Sequence, residues 1–265
     1  NLSLNFIRYQ YYQNMIKANK KMNAAIIIIG NEILSGRTQD KNVVYLSKWL
    51  NELGVRVEEV RIIPDLEGKI VSTVNELRKK FKYIFTTGGI GPTHDDITAR
   101  SIAKAFNVSY GYNLEAYKIL EKYYTPVRFS EGRKKMAKMP DKASLIHNPS
   151  SGAPGFIIKN VYCLPGVPSI LKSMTDNLTN KISGGKKILS STVSVNTVES
   201  EIAKSLEKIQ NKFKEVEIGS YPFFRLGKIG VSIVIRSTEK NRIDDCSKKI
   251  ISFMKKKKIK IINRE

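Results

Sequence analysis

Six consecutive apolar residues at positions 24–29 (AAIIII) run without interruption into Gly30. A strand with one face in water would alternate apolar and polar residues, and a bilayer span needs roughly three times this length. The run is therefore read as a strand buried on both faces, which requires helices on each side of its sheet. The next segments repeat the theme. Positions 40–53 carry Val43, Val44, Leu46, Trp49, Leu50 and Leu53 at helical spacing and stop at Gly54. Residues 55–63 are β-branched and end at Pro64, residues 66–81 are helical, and residues 83–87 form a third strand closed by Gly88-Gly89. A third helix is expected over 95–106. Strand and helix alternating three times imply parallel strands joined by crossovers.

Residues 113–139 read as a helix and a shorter one separated by Pro126, and residues 148–154 as a loop. Strands are expected at 155–158 and 161–164, and a helix over 169–182. Ser183-Gly184-Gly185 is the best linker in the chain. Beyond it the pattern restarts as strand 188–195, helix 199–213, strand 216–220, an aromatic turn at 221–224, strand 229–236, helix 243–254 and strand 259–262. This β-α-β-β-α-β order describes a small split βαβ sandwich. The expected domains are an extension over 1–21, a large domain over 22–185 and a small one over 186–265. The extension is basic and aromatic but lacks the apolar core and cleavage site of a secretory signal.

Composition narrows the class. Apolar residues at 41% and charged residues at 26% exclude a disordered chain. Two cysteines, Cys163 and Cys246, and two histidines, His94 and His147, exclude a disulfide framework and a His-rich zinc site, and suit a reducing cytoplasm. The 46 Lys and Arg against 24 Asp and Glu leave +22, which favours anionic partners, although the lysines are dispersed as on an ordinary solvated surface. Trp49, the only tryptophan, sits on the apolar side of its helix and is expected in the core.

The chemistry concentrates in residues 86–98, TTGGIGPTHDDIT. This segment leaves a buried strand, bends through Gly88, Gly89 and Gly91, and enters a helix. Glycines let backbone amides approach an anion, and Asp95 or Thr93 could cap the helix. The adjacent carboxylates point further, because phosphate plus carboxylate is the usual setting for Mg²⁺. Three weaker segments are the polar loop 30–40, Pro64-Asp65, and Pro165-Gly166-Val167-Pro168. All four follow strands of one inferred parallel sheet, at the edge where α/β proteins bind ligands. A phosphorylated ligand is the preferred reading.

The segments GNEILSGRTQDKN, PD, TTGGIGPTHDDIT, NPSSGAPGF and LPGVPS together resemble the molybdopterin-binding (MoCF, MoaB/MogA-like) domain, in the form found in the CinA (competence/damage-inducible protein) family. The likeness spans about 22–182. The later ESEIAKSL and EVEIGSYPFF are similar to the small KH-like domain that follows in CinA. The resemblance implies a three-layer, mostly parallel sheet followed by a small KH-like α/β domain. It also implies self-association and metal-dependent chemistry. Asp96 and Asp65 match the family's acidic residues, with Asp95 as a further metal ligand. Gly88, Gly89 and Gly91 would cradle phosphate, while Thr98, Glu32, Asn42 and Gly166 would line the same cleft. Ile90 stands where molybdopterin enzymes show Thr, which leans toward the CinA type. The deamidase domain of longer CinA proteins has no counterpart in these segments, so its activity is not carried over.

Two functions follow as expectations. The first is hydrolysis of a nucleotide pyrophosphate such as ADP-ribose, with Mg²⁺ as cofactor. The alternative is a molybdopterin- or nucleotide-binding module without turnover. Neither a membrane nor a nucleic acid is an expected partner, since a KH clamp needs GxxG between helices and the tail has none. His94 is read as a loop contact rather than a base.

Overall fold

A computed structural model describes residues 22–225 and 227–264. The expected extension over 1–21 lies outside them. The chain divides into two compact units after Gly185.

In the first unit, β1 (Asn23–Ile29) is flanked by β2 (Arg56–Ile63) and β3 (Tyr83–Thr87), both parallel to it. Next to β3 comes β8 (Val161–Leu164), also parallel, and then β7 (Gly155–Ile158) and β6 (Ser144–Ile146), antiparallel. The order across the sheet is β2-β1-β3-β8-β7-β6. The all-apolar β1 is explained by its two faces. Ala25, Ile27 and Ile29 enter one core with Ile70, Val74, Leu77 and Ile102, whereas Ala24, Ile26 and Ile28 enter another with Leu46, Trp49, Leu171 and Met174. Side chains alternate across a strand, so only a run apolar at every position can fill both cores.

The helices follow from those faces. A single turn, α1 (Asn31–Leu34), precedes α2 (Asn42–Glu52); α3 (Glu67–Lys80) leads to β3, and α4 (Thr98–Phe106) leaves it. Beyond them lie β4 (Tyr110–Tyr112), α5 (Leu114–Tyr123), a 3₁₀ turn (Pro126–Arg128), α6 (Glu131–Lys135), β5 (Lys138–Pro140) and, after β8, α7 (Pro168–Thr175), which continues as a 3₁₀ turn (Asp176–Lys181). The α2 and α7 residues pack on one face, and those of α3, α4 and α5 on the other.

The second unit has β9 (Leu189–Val195), α8 (Glu199–Lys212), β10 (Glu217–Arg225), β11 (Lys228–Ser237), α9 (Lys240–Lys256) and β12 (Ile261–Arg264). Its four strands form one antiparallel sheet, ordered β10-β11-β9-β12, the split βαβ arrangement read from the residues. Ile202, Leu206, Ile243 and Ile250 from the helices meet Val193, Val195, Val231 and Ile233 from the strands.

Several boundaries differ from expectation. Helix α4 starts at Thr98 rather than 95, because the Asp96 carboxylate accepts from the Thr93 amide and closes a local ring instead of a helical turn. Neither Asp95 nor Thr93 caps the helix; Ile97 holds the cap position and makes no side-chain bond. Residues 221–224 are not a turn but part of β10, an edge strand where Pro222 removes no needed ladder bond. Strands β4, β5 and β6 were not expected; each is three residues long.

Trp49 is buried and meets Phe85 edge-on, with ring centroids 5.8 Å apart, while its Nε1 donates to Thr179. Truncation to alanine removes that packing. The expected loss is about 3–5 kcal/mol, measured by denaturant unfolding followed with circular dichroism.

Candidate functional site

The strand registers decide where the loops meet. Ile29 pairs with Ile63, Ile28 with Thr87, and Thr87 with Leu164, so β2, β1, β3 and β8 end level with one another. The loop after β1 leads to the α2 face and the loop after β3 to the α4 face. A crevice opens where such loops diverge. There the protein has a cleft of about 710 Å³.

The loops are bound to each other by hydrogen bonds. The Gly30 amide donates to the Ile63 carbonyl, and the Asn31 amide to Asp65 Oδ2 at 2.9 Å. The Gly88 amide donates to the Leu164 carbonyl, and Asn42 Nδ2 to the Gly166 carbonyl at 2.9 Å. Gly88 and Gly89 have φ of 99° and 68°, and a Cβ on either would collide, with the Ile29 carbonyl oxygen and Thr98 Oγ1 respectively. Glycine is required there by conformation and by space.

Eight residues singled out in the sequence line the cleft: Glu32, Asp65, Gly88, Gly89, Gly91, Asp95, Asp96 and Gly166. Asn42 and Thr98 do not line it. Both are buried behind it, Asn42 holding Gly166 and Thr98 donating its hydroxyl to the Gly88 carbonyl at 2.9 Å. They position loops. One atom of this support, Asn42 Oδ1, is buried without a partner. His94 is exposed and does not line the cleft.

The acidic groups are unevenly engaged. Thr93 Oγ1 lies 2.6 Å from Asp95 Oδ1 and 2.5 Å from Asp96 Oδ2. One hydroxyl has one proton, so two carboxylates compete for it. The Thr93 hydroxyl, then the backbone amide of Asp95 itself, and to a lesser degree His94 and Lys135, lower the Asp95 carboxyl from its ordinary value. Asp65 already caps α1. Among the described residues no three Asp, Glu, His or Cys side chains converge as a protein-only metal cage. Burial pushes the Cys163 thiol up to about 12 and that of Cys246 up to about 11, so neither offers a thiolate nucleophile at neutral pH.

The far wall was missed by sequence reasoning. Tyr124, Arg133, Met136, Asn148 and Pro154 line it. Asn148 Oδ1 accepts the Ser150 and Ser151 amides and shapes the 148–154 loop, a turn that its Asn-Pro-Ser-Ser sequence signals. Arg133 lies on a five-residue helix too short for any periodicity to mark.

A family model described as probable molybdopterin binding domain matches residues 25–184, and one described as FAD synthase, middle domain, matches residues 187–262. A protein of Archaeoglobus fulgidus is 34% identical over 219 residues, covering 83% of this chain and 93% of its own. One of Saccharolobus islandicus is 34% identical over 210 residues, covering 75% and 80%. Among solved structures, CinA of Thermoplasma acidophilum, described as of unknown function, has a TM-score of 0.59 at 32% identity, covering 62% of this chain and 99% of that one.

Replacing Thr93 with valine removes the hydroxyl and keeps the amide. The Asp95 carboxyl should then titrate at higher pH than in the parent, read by carbon NMR of the side-chain carboxyl. In the parent, whatever stability the lowered value gives is present above the unfolded pKa and is lost as pH falls through the folded one. An unchanged titration would mean the hydroxyl serves Asp96 alone.

Proposed function

The chain belongs to the probable molybdopterin binding domain family and is CinA-like, and on that basis we propose that it hydrolyses a nucleotide pyrophosphate of the ADP-ribose class with a divalent cation. The family's fold implies a pterin or nucleotide ligand. The finer reading is supported by one observation above the others. The cleft has a glycine turn suited to phosphate, yet among the described residues its charged lining is Glu32, Asp65, Asp95 and Asp96 with Arg133, while Lys135 stands beside the turn on the Thr93 carbonyl. A free phosphate would meet four carboxylates and one guanidinium. A phosphate accompanied by Mg²⁺ would not be repelled.

The donor set fits that cation. Mg²⁺ is commonly held by one or two carboxylates together with substrate phosphates, not by a dedicated protein cage. Asp96, with Asp95 or Asp65, would supply the carboxylates, and the two acids competing for one Thr93 proton would be relieved by a positive charge. When bound, the ion supplies charge neutralisation at the phosphates and a more acidic water. The protein's own part is geometric. Amides of residues 89–91 hold the phosphate, Thr98 and Asn42 keep the loops in place, and a cleft carboxylate takes the proton of the attacking water. Water adds to one phosphorus, the P–O–P bond breaks, and AMP and ribose 5-phosphate leave.

A second reading, binding without turnover, is favoured by the structural duties of Asp65 and Asp96, each of which already accepts a backbone amide. Asp96→Asn separates the two. Asparagine Oδ1 still accepts the Thr93 amide, so the fold and melting temperature should persist while ADP-ribose cleavage with Mg²⁺ is lost. Equal rates in both proteins would remove Asp96 from the chemistry. Tight binding by the parent without product would favour the carrier reading.

A further inference from the structure

The far wall of the cleft has a chemistry of its own. Arg133 lays its guanidinium over the Tyr124 ring, Cζ 4.3 Å from the centroid, and its Nη1 donates to the Arg128 carbonyl. Tyr124 is backed in turn by Phe129, stacked at 17° with centroids 6.4 Å apart. The order Phe129, Tyr124, Arg133 is a short pile of flat groups, and both Tyr124 and Arg133 line the cleft. The tyrosine covers the guanidinium from one side, and Arg133 is only half-buried.

This pile is held in register with the glycine turn. Helix α6 rests on that turn at Gly132, where a Cβ would stand 2.9 Å from the Pro92 carbonyl oxygen. Two residues on from Arg133, Lys135 Nζ donates to the Thr93 carbonyl. The planar cation and the glycine turn are thus parts of one packed unit lining one cleft. Pro154 and Met136 line the same wall and offer apolar surface rather than hydrogen bonds.

Resting on the reading of the cleft as a phosphate site, we propose that Arg133, stacked on Tyr124, is the surface on which the ligand's heterocycle lies. The cleft then selects a fused nitrogen ring carrying phosphate, purine or pterin, over the same phosphate without a ring. A guanidinium is planar, weakly hydrated and suited to stacking on aromatic faces, whereas an ammonium of the same charge has no plane. Stacking tolerates different rings, since each has a π face.

The test is calorimetric binding with Mg²⁺ present, using AMP against ribose 5-phosphate, and dihydroneopterin triphosphate against inorganic triphosphate. The parent should prefer the ring-bearing member of at least one pair. Arg133→Lys keeps the charge and removes the plane; it should weaken that member roughly ten-fold and leave its ringless counterpart unchanged. Tyr124→Phe, which retains the ring, should bind like the parent, and melting temperatures check that each variant is folded. The pair that responds identifies purine or pterin. Equal weakening of both members would make Arg133 a phosphate contact and overturn the proposal, as would no weakening of either. Ring selectivity without ADP-ribose cleavage would sustain this inference and refute the hydrolase reading. Cleavage without ring selectivity would do the reverse, and no binding by any of the four would refute both.

Discussion

At Gly88 the backbone leaving β3 passes so close to the Ile29 carbonyl that no side chain fits, and Gly166 sits against its other side. Much of the site follows from that contact. It sets the exits of three neighbouring parallel strands at van der Waals distance, and their loops have room to diverge only above it. The remaining stitches are short-range in space and long-range in sequence. Asn31 reaches Asp65 across 34 positions and Asn42 reaches Gly166 across 124. These bonds tie the ordering of the loops to the formation of the sheet.

That stitching separates residues that face the ligand from residues that hold them. Thr98 is fully buried, and its hydroxyl and amide bond to the carbonyls of Gly88 and Gly89, so it fixes the glycine turn from below. Asp65 faces the cleft and yet caps α1. Asp96 faces it and yet closes the 93–96 ring that delays α4. These two acids serve structure and cleft at once. Each gives one oxygen to the backbone and keeps another for what enters.

The sheet was legible from its apolar runs, because a strand filling two cores must be apolar at every position and β1 is. The site edge was legible because each Gly- or Pro-rich loop followed a strand, although only β1, β3 and β8 are buried throughout and β2 is a charged edge strand. The illegible parts share a cause. Strands β4, β5 and β6 and helix α6 are three to five residues long, too short to carry a period, and exist through contacts with segments far away in sequence. Arg133 gave no signal of its own, since a basic residue in a Lys-rich stretch reads as solvated surface. Its partner Tyr124 is nine positions earlier, beyond any local pairing rule. The placing of Asn42 and Thr98 behind the cleft was equally invisible, because a residue in a ligand loop and a residue under it share one sequence address.

Charge acts at two scales in this protein, with opposite signs. The whole chain carries +22, a field that draws anions toward the molecule. Inside the cleft the balance reverses, with four carboxylates against one guanidinium among the described residues that line it. That field falls away within about 10 Å at ordinary salt, whereas a partly enclosed cleft is screened far less. A dispersed basic surface and an acidic cleft floored with glycine thus differ in sign, so an anion drawn in by the first is opposed by the carboxylates of the second.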